Sequence, residues 1–296
     1  MITVLATGPQ TTVQDVRGRP GRADLGVGVS GAADRRALAL ANRLVGNHGD
    51  AAGLEITLGG FAGSFPTTCV VALTGAPAPA TIDGRAADLH RPVVVPAGAE
   101  LRLGTPPTGL RTYLAVRGGI AVAPVLGSRA TDVVAGLGPA VVAEGDELPV
   151  GSPPTHPVPA VDLAPPPRAD GTLRVVLGPR ADWFADPGLL LRHPWTVTDD
   201  LNRVGFRLDG PELARAEAFA GVELPSEGVI RGSVQVPPSG RPTVFLADHP
   251  ITGGYPVIAV VVDADTDAAG QLRPGEQVRF RRAAEPLPGA RPNRGT

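Results

Sequence analysis

Short apolar runs separated by glycine and proline recur along the chain, and this pattern predicts many strands joined by turns. Runs of this kind are Ile2–Leu5, Cys69–Leu73, Val93–Val95, Leu101–Leu103, Thr112–Val116, Leu173–Leu177, Val229–Ile230, Thr243–Leu246 and Val257–Val262. The last run is apolar on both faces, which is typical of a strand that is covered on both sides. Helical spacing is clear only over 34–45, where Asp34 can cap the helix and Gly46 can end it. Weaker helical patterns lie at Trp183–Phe184 and Pro211–Ala218.

A proline-rich segment at 152–170 separates a first β-rich half, 1–151, from a second one, 171–283. Proline fixes φ and removes a backbone donor, so this segment is predicted to be an extended connector. The tail, 284–296, is predicted to be disordered. Three similar segments, each with a glycine, an acidic residue and an alternating run, favour closed β architecture: Ala97–Leu103, Glu144–Val150 and Pro274–Phe280. The sequence therefore predicts a mostly β protein with two barrel-like halves and few short helices.

Composition narrows the classes of function. With 43% hydrophobic residues, 19% charged residues and a net charge of −2, the chain is globular and has no electrostatic reason to bind nucleic acid or an anionic membrane. Lysine does not occur in the sequence, which excludes a P-loop of the usual form and a Schiff-base lysine. Covalent biotin on this chain is excluded for the same reason, so any carried cofactor must arrive on another chain.

Weaker signals in the sequence indicate the cellular compartment of the protein. The one cysteine, Cys69, lies in an apolar run and is expected to be a buried, inert thiol. The first fifteen residues lack the pattern of a signal peptide, and the chain has no apolar run of 18 residues. These features predict a cytoplasmic protein.

Four polar, glycine-rich segments could carry chemistry. The first covers Thr11–Gly21 and Gly26–Asp34 and brings together a carboxamide, an acid, an arginine and a hydroxyl: Gln14, Asp15, Arg19 and Ser30. Glycines there let the backbone approach a ligand and donate N–H groups to an anion. The alternative is a tight loop in which Asp15 and Arg19 pair with each other. The second segment, Gly127–Asp132, sets Arg129 beside Asp132, either to hold an anionic group or as a helix cap with a local ion pair.

The third segment, Thr198–Leu208, places Arg203 and Arg207 on either side of a glycine, so one could clamp an anion and the other form a structural pair. The fourth covers Glu227–Pro237 and Asp248–Pro256. There His249 has Asp248, Thr252 and Tyr255 as neighbours, and Gln235 lies upstream. A histidine in such company could act as a base, although a satisfied structural histidine is the alternative. The sequence has no nucleophile elbow and no zinc-binding spacing, so no metal site is predicted.

These segments, in this order, resemble the KipA/PxpC family, also called allophanate hydrolase subunit 2 or the biotin-dependent carboxyltransferase family. The resemblance runs from about Met1 to Phe280. It is carried by Thr11–Asp15 with Gly18–Gly21; Gly26–Val27 with Ser30–Ala32 and Asp34; Ala41–Asn42 with Leu44–Asn47; Leu54–Thr57; Tyr113–Val116 with Gly118–Gly119; Leu126–Arg129 with Thr131–Asp132; Arg203, Gly205, Arg207 and Leu208; Gln235–Pro237; and Thr252–Pro256.

The chain departs from the family pattern in three places. Val16 and Arg17 add a residue before Gly18, so the family arginine is matched to Arg19 rather than to Arg17. Ala33 replaces a larger apolar residue, and the Gly136–Pro139 segment lacks a glycine-arginine pair that often follows it.

The resemblance implies two cyclophilin-like β-barrel subdomains and work beside a KipI/PxpB-like partner. It implies a subunit of ATP-dependent 5-oxoprolinase, with ATP used by the complex and a LamB/YcsF (PxpA)-like protein as a further subunit. Such an amide hydrolase subunit is expected to be inactive alone. Two alternatives stay open: a biotin-dependent carboxyltransferase subunit acting on a urea-like amide, and a non-catalytic partner of a KipI-like kinase inhibitor.

Both enzymatic hypotheses require a cation near developing negative charge and a base. Three arginines are expected to hold anions, Arg19, Arg129 and Arg203, and His249 or Asp15 to move protons. Three further side chains, Gln14, Gln235 and Tyr255, are expected to orient the amide, with Ser30, Asp132 and Thr252 beside them. The hypotheses require these loops to converge on one water-accessible cleft.

Overall fold

The computed structural model describes residues 1–160 and 171–284. Within these ranges the chain is mostly β, with three α-helices and 11% of residues helical when 3-10 turns are included, which confirms the predicted fold class. Residues 152–160 form neither helix nor strand, whereas 161–170 of the predicted connector and the predicted tail beyond 284 lie outside the described residues. None of the helices in the described ranges is long and apolar enough to cross a membrane.

The first half consists of two sheets that share one core. Its strands are β1 (Ile2–Thr7), β2 (Gln10–Gln14), β3 (Gly53–Thr57), β4 (Phe61–Ser64), β5 (Cys69–Gly75), β6 (Ala80–Ile82), β7 (Arg85–Ala87), β8 (Val93–Val95), β9 (Glu100–Leu103), β10 (Arg111–Val116) and β11 (Glu147–Leu148). One sheet has the order β11-β1-β4-β9-β6-β7 and the other β2-β3-β10-β5-β8. Leu54, Ile56 and Leu114 point into the core between them.

Helix α1 (Arg35–Leu44) packs on the outer face of the second sheet. Asp34 caps it as predicted, because its carboxylate accepts from the Ala37 N–H at 2.9 Å. The alternation of strand side chains explains the packing: in β10, Leu114 faces the inner core while Tyr113 and Ala115 face α1. Both faces of β10 are therefore buried.

The second half forms a closed barrel with the strand order β12-β19-β16-β17-β14-β13-β20. Its strands are β12 (Thr172–Leu177), β13 (Pro194–Leu201), β14 (Gly205–Asp209), β16 (Ser233–Gln235), β17 (Thr243–Phe245), β19 (Val257–Val261) and β20 (Gln277–Arg282); outside the barrel, β15 (Glu227–Gly228) pairs with β18 (Thr252–Gly253). Two short helices are α2 (Leu189–Arg192) and α3 (Asp263–Ala269). Trp195 and Phe206 fill the barrel core, which is separate from that of the first half. The division at 152–170 stays a prediction.

Most predicted strands are present, and two details differ. The predicted strand Val229–Ile230 is absent: the strand at this place, β15, covers Glu227–Gly228, and the Ile230 carbonyl accepts from the Ser233 N–H and closes a turn. The predicted helices at Trp183–Phe184 and Pro211–Ala218 are replaced by 3-10 turns at Ala181–Trp183 and Glu217–Phe219. The backbone N–H groups of Leu213 and Ala216 donate to other loops, which leaves them no helical partner.

The three similar glycine-containing segments share one conformation. Gly98, Gly145 and Gly275 all have left-handed backbones, with φ of 79°, 89° and 83°. Each precedes a strand, respectively β9, β11 and β20. Only glycine adopts this region without a side-chain clash, which explains why the residue recurs at the same place in each segment.

The two halves meet along α1 and α3. The Gln271 side chain of the second half accepts from the Leu110 and Arg111 N–H groups of the first, at 3.1 and 2.9 Å. It also donates to Asp34 at 2.8 Å. Nearby, Arg231 bridges Asp267 and the Ala33 carbonyl. These contacts fix the position of the loop that precedes α1.

Candidate functional site

The loop between β2 and α1 lies at the junction of the two halves. Its backbone is strained at Ser30, a non-glycine residue with φ of 56°. The loop is tightly folded, since a Cβ atom on Gly18 would lie 2.2 Å from the Val29 carbonyl oxygen. The strained backbone holds Ser30 so that its hydroxyl donates to Asp248 of the second half at 2.7 Å.

Asp15 ties this loop to the segment at 127–132. Its carboxylate accepts from the Gly18 N–H, the Ser128 hydroxyl and the Arg129 N–H, each at 2.7 Å. No ion pair joins Asp15 to Arg19 among the described residues, so the alternative of a local pair between them is wrong. The carboxylate instead fixes two loops against each other.

Arg203 is the centre of the junction and is only 3% exposed. Its guanidinium donates to both oxygens of Asp248, at 2.8 and 2.9 Å, and to the Gly31 carbonyl at 2.6 Å. It also forms an ion pair with Glu55 of β3. Because these protein oxygens occupy the guanidinium, Arg203 positions the loops and is not available as the anion clamp that we expected.

Glu55 and Tyr113 form the part of the first half on which Arg203 packs. They lie opposite each other in the β3–β10 pair and share the outer face of the sheet. The Tyr113 hydroxyl donates to Glu55 at 2.8 Å and accepts from the Asp34 N–H at 2.7 Å. Arg111, two residues along the same face, lies 3.4 Å from Glu55.

Electrostatics keep this buried cluster ionised. Burial alone would raise the pKa of Glu55, but Arg203 and Arg111 hold that pKa below its ordinary value. Burial alone would lower the pKa of Arg203, but Glu55 and Asp248 raise it. The pKa of Tyr113 is raised by burial and by the charge of Glu55, so its hydroxyl remains a donor.

His249 follows Asp248 and lies at the edge of the cluster, 9% exposed. Its Nδ1 is 2.8 Å from the Pro250 carbonyl, which can only accept, so Nδ1 carries the proton. Burial lowers the pKa of His249 below its ordinary value. The neutral imidazole therefore presents Nε2 as a base near neutral pH.

Gln14 and Arg19 hold consecutive peptide groups of the 127–132 segment. The Gln14 amide donates to the Thr131 carbonyl at 2.9 Å, and Arg19 donates to the Ala130 carbonyl at 2.6 Å. Ser30 is 3.5 Å from the same Thr131 carbonyl, which connects these residues to the Arg203 cluster.

The other predicted site residues lie farther from the cluster. Arg129 is exposed and its side chain donates to the Val122 carbonyl, while the Asp132 carboxylate accepts from the Val134 and Ala135 N–H groups. The Gln235 amide donates to the Tyr255 carbonyl at 2.9 Å. The side chains of Tyr255 and Thr252 are solvent-exposed.

The predicted loops converge, but the arginine charge does not line an open cleft. Arg19 and Arg203 are 1% and 3% exposed. A groove of about 990 Å³ runs beside the loop and α1, where Arg17, Arg36 and Arg43 line it. None of the predicted site residues lines this groove.

Sequence reasoning missed Glu55 and Ser128 as members of the cluster. Glu55 carried a usable signal, because an acid between Leu54 and Ile56 in an apolar strand requires a buried cationic partner. Ser128 carried no such signal, because its role depends on a contact with Asp15 that is distant in sequence.

In the described ranges, no group of three or more His, Cys, Asp or Glu side chains is arranged to hold a metal ion. Burial raises the pKa of the Cys69 thiol to about 11, which agrees with an inert role.

Replacing Arg203 by methionine tests the structural role of the cluster. The Arg203→Met variant leaves Asp248 without its cation and Glu55 with Arg111 alone, so we expect a loss of about 3–5 kcal/mol in unfolding free energy. The control is Arg207→Met, because Arg207 forms an exposed ion pair with Asp200 at 3.2 Å. This control substitution should lower the unfolding free energy by less than about 1 kcal/mol. Urea denaturation measures both, and equal losses would contradict the assignment.

Comparison with known proteins agrees with this architecture. The model of the carboxyltransferase domain, subdomain A and B, matches residues 25–282. The C subunit of the Escherichia coli 5-oxoprolinase is 38% identical over 95% of this chain and 90% of its own length. The crystal structure of TTHA0988 superposes with a TM-score of 0.84 at 36% identity over 95% of this chain. The urea amidolyase of K. lactis superposes with a TM-score of 0.89 at 31% identity over 96% of this chain.

The chain spans about half of TTHA0988 and about a fifth of the K. lactis urea amidolyase, with coverage of 55% and 19%. It spans nearly all of the E. coli protein. The match covers both the sheets of the first half and the barrel of the second. The chain therefore belongs to the family of carboxyltransferase domains with subdomains A and B.

Proposed function

We propose that this chain is a subunit of an ATP-dependent 5-oxoprolinase that opens 5-oxoproline to glutamate. The observation that carries the proposal is the end-to-end match with the C subunit of the E. coli 5-oxoprolinase, which covers 95% of this chain and 90% of the relative. The urea amidolyase of K. lactis, by contrast, is matched over 19% of its length.

The chemistry assigned to the assembly is the hydrolysis of a lactam. Water adds to the carbonyl carbon, the ring C–N bond breaks, and the nitrogen leaves as the amine of glutamate. A lactam carbonyl is a poor electrophile. ATP would supply the driving force by transferring its γ-phosphoryl group to the carbonyl oxygen with loss of ADP, and phosphate would leave when water completes the hydrolysis to glutamate. Because the sequence has no lysine for a P-loop of the usual form, we assign nucleotide binding to the complex as a whole, with KipI/PxpB-like and LamB/YcsF-like subunits as partners.

Within this chain, we assign the role of general base to His249. Its Nδ1 proton is committed to the Pro250 carbonyl, so Nε2 can take a proton from water or from an amide. Arg203 and Asp248 act as positioning residues, because they anchor the segment that carries His249 to the loop of Ser30. Asp15 is occupied by three donors and serves as a further anchor.

A biotin-dependent carboxyltransferase is the second candidate, and the similarity to the K. lactis urea amidolyase supports it. In that case His249 would take an N–H proton from a urea-like amide while CO₂ leaves carboxybiotin. The absence of lysine requires biotin to be attached to another protein.

Reconstitution distinguishes the two candidates. We expect the purified chain to show no 5-oxoproline-dependent ATP hydrolysis, and the activity to appear when the two partner subunits are added. The measurement is release of ADP and glutamate with and without 5-oxoproline. Activity that instead requires bicarbonate and a biotinylated carrier protein would replace the first candidate by the second. Full activity of the partner subunits without this chain would exclude both catalytic roles.

The pH dependence tests His249. Its neutral form is the active one and burial lowers its pKa below the ordinary value, so kcat/KM of the complex should be at its plateau near pH 8 and fall as the pH drops through that lowered pKa. His249→Gln should lower kcat by about 10²–10⁴-fold and remove the acidic limb attributed to this residue. The control is His48→Gln, because His48 is exposed and pairs only with Asp50. A variant that keeps both its rate and its acidic limb would show that His249 is structural.

A further inference from the structure

Arg19 carries a buried charge without a counterion. Three arginines are buried in the described part of the chain: Arg19, Arg111 and Arg203. Arg111 and Arg203 both lie within 4 Å of Glu55. Arg19 has no ion pair within that distance in the described ranges; it donates only to the Val125 and Ala130 carbonyls, and its Nη1 has no hydrogen-bond partner. A buried cation is costly unless an anion neutralises it.

Two further buried side-chain atoms near Arg19 also have no hydrogen-bond partner in the part of the chain that the structure describes. They are Oε1 of Gln14 and the hydroxyl of Thr131. Gln14 donates to the Thr131 carbonyl and Arg19 donates to the Ala130 carbonyl, so these side chains surround two consecutive peptide groups. Native proteins leave few buried polar atoms unpaired. These three atoms belong to Thr131 itself and to two side chains that bind the adjacent Thr131 and Ala130 carbonyls, and a ligand in contact with them would complete their hydrogen bonding.

The chemistry of the three atoms defines that ligand. Arg19 Nη1 is a cationic donor, Gln14 Oε1 is an acceptor, and the Thr131 hydroxyl can donate. We propose that they bind a small carboxylic acid that also bears an N–H group and a carbonyl. The carboxylate would bind Arg19, the N–H would donate to Gln14, and the carbonyl would accept from Thr131.

This inference rests on the proposed function, because 5-oxoproline has these three groups. Urea has the N–H and carbonyl groups but no carboxylate, and it would leave Arg19 without an anion. The Arg19 subsite, defined as Gln14, Arg19 and Thr131, therefore favours the 5-oxoprolinase candidate over one that acts on urea.

The ligand must enter past a tight turn. A Cβ atom on Gly138 would lie 2.1 Å from the Ala130 carbonyl oxygen and 2.7 Å from Arg19 Nη2, so the turn packs directly on the guanidinium. The Asp132 and Leu137 backbones close this turn with hydrogen bonds of 2.9 and 3.2 Å. Opening of the turn would expose the Arg19 guanidinium to a ligand.

Calorimetric titration of the purified full chain tests the subsite. The probes are 5-oxoproline, 2-pyrrolidinone, which is the same lactam without a carboxylate, and urea. We expect 5-oxoproline to bind at least tenfold more tightly than 2-pyrrolidinone. In Arg19→Gln this preference should fall to twofold or less. The matched control is Arg17→Gln, which replaces an exposed arginine of the same loop and should keep the full preference.

A second variant addresses folding. Thr131→Val removes a hydroxyl that has no partner among residues 1–160 and 171–284, so it should not lower the thermal midpoint. It should weaken 5-oxoproline binding by about tenfold, since a hydrogen bond to a ligand is worth roughly 1 kcal/mol or more. A purely structural Thr131 would leave the affinity unchanged.

The outcomes separate this inference from the proposed function. The subsite is overturned if 5-oxoproline and 2-pyrrolidinone bind with equal affinity, or if neither binds. It is also overturned if the complex with the Arg19→Gln variant keeps an unchanged KM for 5-oxoproline. In that last case the 5-oxoprolinase function stands. Arg19-dependent binding of acetate or bicarbonate without binding of 5-oxoproline supports an anion site and removes 5-oxoproline as its ligand.

Discussion

The arrangement of the two halves depends on one buried guanidinium, that of Arg203. It is shared between Glu55 on a strand of the first half and Asp248 on a loop of the barrel. Buried ion pairs contribute little net stability, because desolvation offsets their attraction, but they are intolerant of displacement. A shift of either half would leave a charge unpaired in the interior. The cluster therefore determines the relative position of the two halves more than it contributes to the free energy of their association.

The polar loops owe their positions to this docking. Ser30 adopts a left-handed backbone that costs energy, and its hydrogen bond to Asp248 helps to offset that cost. Asp15 then connects the same loop to Ser128 and to the Arg129 backbone. Strain and satisfied polar contacts thus occur together in the loop next to His249, as is common where a site must hold a fixed geometry. The loop is rigid because both halves contribute to it.

Local patterns predicted the fold better than the site. Short apolar runs bounded by turn residues identified strands such as β5 and β10, and the cap at Asp34 with helical spacing identified α1, because these features depend on neighbouring residues. Helix α3 was missed, since the run from Asp263 to Ala269 is short and three of its residues are aspartates. The side chain of Asp267 in that helix is nevertheless held by Arg231, through a contact that spans 36 residues. Contacts of this range are set by tertiary packing, and no local pattern predicts them.

The contrast between Arg203 and Arg19 shows why burial alone does not identify function. Both arginines were expected to hold anions, and both are almost fully buried. Arg203 is neutralised by the carboxylates of the two halves, so its charge is used within the fold. Among the described residues, Arg19 donates only to backbone carbonyls and one of its nitrogens has no partner, as is the case for two atoms of the neighbouring Gln14 and Thr131 side chains. The hydrogen bonds of Arg19 hold the 127–132 segment but leave its charge unneutralised, and an anionic substrate would neutralise it. The distinction between the two arginines follows from counting their partners rather than from their places in the sequence.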